Sequence, residues 1–185
     1  GSDSHVRVWY MDRCLHGDDG IQRNTQVVNY LGALHQALLD VSDWVERGVE
    51  PLPTTNYRLE DGQIVVPDSA RERRGIQPVP VLLVNGAVCT HVKVGEIVTL
   101  TASAQAPEQA GKITALDFDF GDRSQEDFFD VVGVLNHDSA SVTHTYAKPG
   151  TYFAAVRVKM QRMGDSDALF TQVLNLARAR VIVEE

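Results

Sequence analysis

His144-Thr145-Tyr146-Ala147-Lys148-Pro149-Gly150-Thr151-Tyr152 reads as the end of one strand, a turn, and the start of the next. Pro149-Gly150 turns the chain, because proline presets φ and glycine accepts backbone angles that other residues avoid. Beyond the turn the apolar residues recur with period two. Tyr152, Ala154, Val156 and Val158 fall on one face, Arg157 and Lys159 on the other. That alternation marks a half-buried strand. Working outward, strand-like runs occupy 79–84, 91–94, 96–104, 113–120, 140–146, 151–162 and 173–183, separated by turn-forming residues. About seven short strands of this kind predict an immunoglobulin-like β-sandwich over residues 76–185.

The second informative stretch is Phe118-Asp119-Phe120-Gly121-Asp122. Phe118 and Phe120 place their rings on one side of a central strand, where large aromatic burial does most for a thin core. Gly121 permits a sharp turn, and Asp122 is placed to accept backbone N–H bonds there. Asp117, Asp119 and Asp122 admit two readings. One is a Ca²⁺ site, which wants several oxygen ligands at close range. The other is turn capping and solvated carboxylates, which asks for nothing further. His144 reads as a partly buried strand residue with a satisfied hydrogen bond.

Phe118-Asp119-Phe120-Gly121-Asp122 resembles the first signature of polycystic-kidney-disease (PKD) domains, and His144 to Tyr152 resembles the second almost residue for residue. His144, Tyr146, Pro149, Gly150 and Tyr152 carry the second match. Phe118 stands where the family usually has Trp, Arg123 replaces a final Gly, and an insert at about 123–139 separates the motifs. The resemblance implies an accessory module, extracellular or at the cell surface, that contacts carbohydrate or protein.

Residues 1–75 read differently. Residues 5–12 have apolar groups on both faces, Val6, Val8 and Tyr10 against Trp9 and Met11, which predicts a strand buried inside a parallel sheet. Over 25–47, Val27, Leu31, Leu34, Leu38, Val41 and Val45 recur at spacings of three and four and predict a helix. Asn24 or Thr25 caps its start, and Gly48 and Pro51 end it. Asp61-Gly62 joins a hairpin of 57–60 and 63–66. The charged, proline-bounded stretch 67–78 is the candidate linker between this smaller α/β segment, 1–75, and the sandwich.

Val8-Trp9-Tyr10, His16-Gly17-Asp18, Tyr30-Leu31-Gly32-Ala33-Leu34 and Asp43 to Pro51 together are similar to the C-terminal end of tannase and feruloyl-esterase-like α/β-hydrolases. On that resemblance His16 matches the general base of a Ser-His-Asp triad. The chain has no Gly-x-Ser-x-Gly elbow, so nucleophile and acid would lie upstream of residue 1. His16 read by itself is a polar loop residue. Alone, the chain carries no complete catalytic site.

Composition narrows the rest. Seventeen basic and 25 acidic residues give a formal charge of −8. Residues 1–75 hold 8 basic and 12 acidic, leaving 9 and 13 for 76–185. With no basic concentration along the chain, a phosphate backbone meets net repulsion, and nucleic acid is not an expected partner. No apolar run reaches the roughly 18–20 residues of a membrane span. Cys14 and Cys89 make no disulfide framework, and no spacing asks for zinc or a cofactor. Gly1-Ser2 reads as a tag-cleavage scar, so a missing signal peptide says nothing of localisation. Apolar groups on two faces of 5–12, shielded by one helix, further predict a homodimer through residues 1–50, the alternative being that the segment folds back on its own sandwich.

Overall fold

A computed structural model describes residues 5–15, 26–122, 134–135 (backbone) and 138–185. In chain order the elements are α1 (Leu31–Arg47), β1 (Arg58–Glu60), β2 (Gln63–Val65), α2 (Ala70–Arg73), β3 (Val79–Val84), β4 (Cys89–Lys93), β5 (Ile97–Gln105), β6 (Lys112–Asp119), β7 (Val134–Leu135), β8 (Ser139–Thr145), β9 (Gly150–Gln161) and β10 (Val173–Glu184). All seven expected strands of the sandwich form, with β7 in addition.

They build two sheets, in the orders β4-β10-β9-β6-β7 and β3-β5-β8. Pairing is antiparallel throughout except between β10 and β4, which run parallel. The alternation forecast for β9 holds. Tyr152, Ala154, Val156 and Val158 point inward to meet Leu116 and Phe118 of β6 and Leu82, Val98 and Leu100 from the facing sheet. Burial of these apolar groups is the main force closing the sandwich.

The strand expected at 5–12 does not form. Its neighbour in space is Pro51-Leu52-Pro53, whose prolines have no N–H to give a ladder. Side chains take over the backbone bonding instead. Val8 N–H donates to Thr54 Oγ1 (3.2 Å), Tyr10 N–H to Thr55 Oγ1 (3.2 Å) and Asp12 N–H to Gln77 Oε1 (2.7 Å). Thr55 N–H returns to the Val8 carbonyl at 3.0 Å. Trp9 Nε1 donates to the carbonyls of Leu52 and Pro53.

The helix begins later than expected, at Leu31, where Asn29 Oδ1 accepts the Leu31 N–H at 2.5 Å. Asn24 and Thr25, the expected caps, lie outside the described residues. Gly48 ends the helix in the left-handed region (φ 69°), its N–H on the Trp44 carbonyl and the Val49 N–H on that of Asp43.

The stretch 67–78, read as a linker, is packed rather than free. It contains α2, and Ile76 and Gln77 are buried. Gln77 Nε2 donates to the carbonyls of Asp12 and Leu174, tying the N-terminal segment to the sandwich. The hairpin β1–β2 forms as expected but stands exposed, with Leu59 paired to Ile64.

Candidate functional site

The two motif stretches meet at one end of the sandwich. Phe118 is buried in the core and Phe120 packs against it. Gly121 turns the chain with φ 76°, and a Cβ there would lie 2.6 Å from the Phe153 carbonyl oxygen, so only glycine fits. Asp119 caps the turn, its Oδ1 accepting the Gly121 N–H at 3.1 Å; the residues after Asp122, where its expected backbone bonds would fall, lie outside the described residues. Asp122 instead holds His144 Nε2 at 2.7 Å. His144 is half-buried as expected, stacked on Phe120 (centroids 4.0 Å, planes 3° apart) and edge-on to Tyr146. Tyr146 donates its hydroxyl to the Phe120 carbonyl at 2.9 Å, and stacks on Tyr152. Burial first, then the carboxylates of Asp122 and Asp119, pushes the Tyr146 phenol well above its ordinary pKa. Tyr152 closes the Pro149-Gly150 turn by donating to the Lys148 carbonyl. The polar groups of the cluster bond to one another and to nearby carbonyls.

The three aspartates considered for Ca²⁺ are not brought together. Asp117 is buried on the face of β6 away from Phe118, where Arg157 and Lys159 both reach its Oδ2 (2.7 and 3.1 Å) and occupy it. No group of three metal-ligating side chains occurs among the described residues. His16 lies outside the described residues. Cys14 and Cys89 are both free thiols, and burial pushes that of Cys14 up.

Two surfaces escaped the sequence reading. The first belongs to α1, which docks on the sandwich by its small, polar face. Ala33, Gln36 and Asp40 are the buried residues, and Asp40 forms a paired contact with Arg162, with Nη2–Oδ2 at 2.9 Å. Gly32 lies so close to the Gln172 carbonyl that a side chain would overlap it. The predicted apolar stripe therefore faces outward: Leu34, Leu38, Val41 and Val45 are 42, 61, 53 and 80% exposed. The second lies on the outer face of the five-stranded sheet. Strand register sets Arg180 beside Phe153, and the Arg178 guanidinium stands 5.0 Å over the Phe153 ring. The basic residues that are evenly spread along the chain gather here, with Arg157, Lys159, Arg178 and Arg180 on neighbouring strands. The alternation of Arg178 and Arg180 with Ala177 and Ala179 was a visible signal of a shared face.

A family model described as PKD domain matches residues 80–174. The chain belongs to the PKD domain family. The match spans both motifs and all but the final strand of the PKD sandwich. One solved structure, the PKD domain of an M14-like peptidase from a Thermoplasmatales archaeon, is 17% identical, with a TM-score of 0.41, over 60% of this chain and 100% of that one. No curated protein matches the chain. None of these matches supports a tannase or feruloyl-esterase segment before the PKD domain. Among the described residues no helix is long and apolar enough to cross a membrane.

Proposed function

We propose that this chain is a non-catalytic PKD interaction module that forms the C-terminal part of a larger hydrolase and packs against it through the segment preceding the PKD domain. The observation that supports this reading is the double-sided helix. One face of α1 is committed to the sandwich through Ala33 and Asp40, while four large aliphatic side chains on the other face meet water. Covering them would contribute on the order of 1 kcal/mol each, and the exposed Leu59 and Ile64 of the neighbouring hairpin add to the same demand. The hydrolase character of the covering unit rests on the resemblance of residues 8–51 alone. A second copy of the chain, the homodimer expected from the sequence, is the rival occupant of this face.

Light scattering separates the two. On this reading the isolated chain is monomeric at tens of micromolar and binds an apolar dye, and Leu38→Gln with Val45→Gln lowers the dye signal. A dimer abolished by the same pair of substitutions would overturn the larger-unit reading in favour of the second copy. The chain also shows no turnover of aryl or gallate esters above the buffer rate. Turnover that His16→Ala removes would mean that the module is itself an ester hydrolase.

A further inference from the structure

We infer that the outer face of β9 and β10, at Phe153, Arg178 and Arg180, is a binding site for a carboxylate-bearing saccharide. The inference rests on the interaction-module reading and names the ligand class that one face of the module takes.

Arg178 is half-buried, its guanidinium over Phe153, and its Nε is buried without an acceptor. Arg180 is exposed beside the same ring and reaches only the weak acceptor Cys89 Sγ, at 3.2 Å. Among the described residues neither arginine forms an ion pair, whereas Arg157, Lys159 and Arg162 all do. These two guanidinium groups share one exposed aromatic ring in a chain of formal charge −8. Burial and the nearby Arg13 disfavour the charged form of Arg178, with Asp119 opposing them, so an incoming anion would relieve an existing cost.

The geometry sorts the candidate anions. A guanidinium offers a planar fork that matches a carboxylate with two parallel bonds, and packing on a ring holds the fork in place beforehand. Phe153 is 46% exposed and offers an apolar surface of the kind on which the C–H face of a sugar rests. An acidic peptide fits less well. β9 and β10 are both interior strands with neighbours on each side, so neither has a free edge for a peptide backbone to pair with. A nucleic acid would bring many phosphates to a protein of strong negative charge. A short acidic saccharide needs only the fork and the ring.

The experiment is a calorimetric titration of the full chain with trigalacturonate, with maltotriose and polyglutamate as comparison probes. Saturable binding of trigalacturonate at millimolar concentration or below is expected, with no detectable maltotriose binding and weaker polyglutamate binding. Arg178→Ala should weaken binding about tenfold or more, the loss of a charge-assisted pair. Arg178→Lys keeps the charge, loses the fork and should weaken it by a smaller factor. Phe153→Ala removes the ring that holds the fork and should weaken both probes, trigalacturonate by the larger factor because it also loses the apolar surface. Thermal melts identify any variant that unfolds, and Arg180→Ala then serves in its place. No binding of trigalacturonate, equal binding of polyglutamate, or full affinity in folded Arg178→Ala would each overturn the site. Those results leave the larger-unit reading standing, and ester turnover would overturn that reading without touching this site.

Discussion

Replacing Gly32 with alanine sets two physical effects against each other with opposite signs. Gly32 is the second residue of α1, and its φ is not in the left-handed region. In a helix free in solution, alanine there would stabilise by up to about 1 kcal/mol through helix propensity. In the docked helix the new methyl would stand 2.5 Å from the Gln172 carbonyl carbon and nearer still to its oxygen. Carbon atoms pack at about 3.5–4.0 Å, so the helix or the start of β10 must move by about 1 Å or more. Neither neighbour is a pliable side chain, and the same movement strains the Asp40–Arg162 pair. Overpacking of this kind costs about 3 kcal/mol, the upper part of the usual range. The net expectation is a loss of about 2 kcal/mol, which lowers Tm by roughly 4–8 °C for a chain of this size. Calorimetry on the wild type and Gly32→Ala measures it directly, and limited proteolysis should show earlier cleavage in the N-terminal segment. An unchanged or raised Tm would refute the docking of α1 on the sandwich.

Residues 76–185 should fold alone, with β-type circular dichroism and a cooperative melt. Their Tm should fall below that of the full chain, because Ile76 and Val173 lose the cover of Trp9, Met11 and Ala33; a disordered spectrum would refute this boundary. Tyr146→Phe should cost about 1 kcal/mol at pH 7, the hydrogen bond to the Phe120 carbonyl. Its effect should depend on pH in a definite direction. The folded chain holds the phenol proton beyond the ordinary pKa of 10.0, so this stabilisation is complete below pH 10 and falls as pH rises above it. Denaturant titrations at pH 7 and in the alkaline range should show the wild type losing its advantage over the variant. A gap that widens with pH would contradict the burial of Tyr146.

What the sequence determined by itself was local and periodic. Two-residue alternation over 151–158 dictates which side of β9 enters a core, because successive side chains of a strand point to opposite faces. Gly48 and Gly121 were legible because their backbone angles exclude most other residues. The motif residues from Phe118 to Asp122 and from His144 to Tyr152 named the family for the same reason: each is tied to a turn or a core position nearby. Tertiary structure decided everything that depends on a partner distant in sequence. Residues 5–12 alternate like a strand, but their neighbour in space is proline-rich and offers side chains in place of a ladder. The apolar stripe of α1 looked like the docking face. The helix instead docks by Gly32, Ala33 and Asp40, since small residues allow close approach to the strand and Asp40 has its partner in Arg162, 122 residues away. The gathering of Arg178 and Arg180 around Phe153 follows from the β9–β10 register, which no single strand carries. Periodicity reports which residues share a face; what that face meets is settled only when the chain closes on itself.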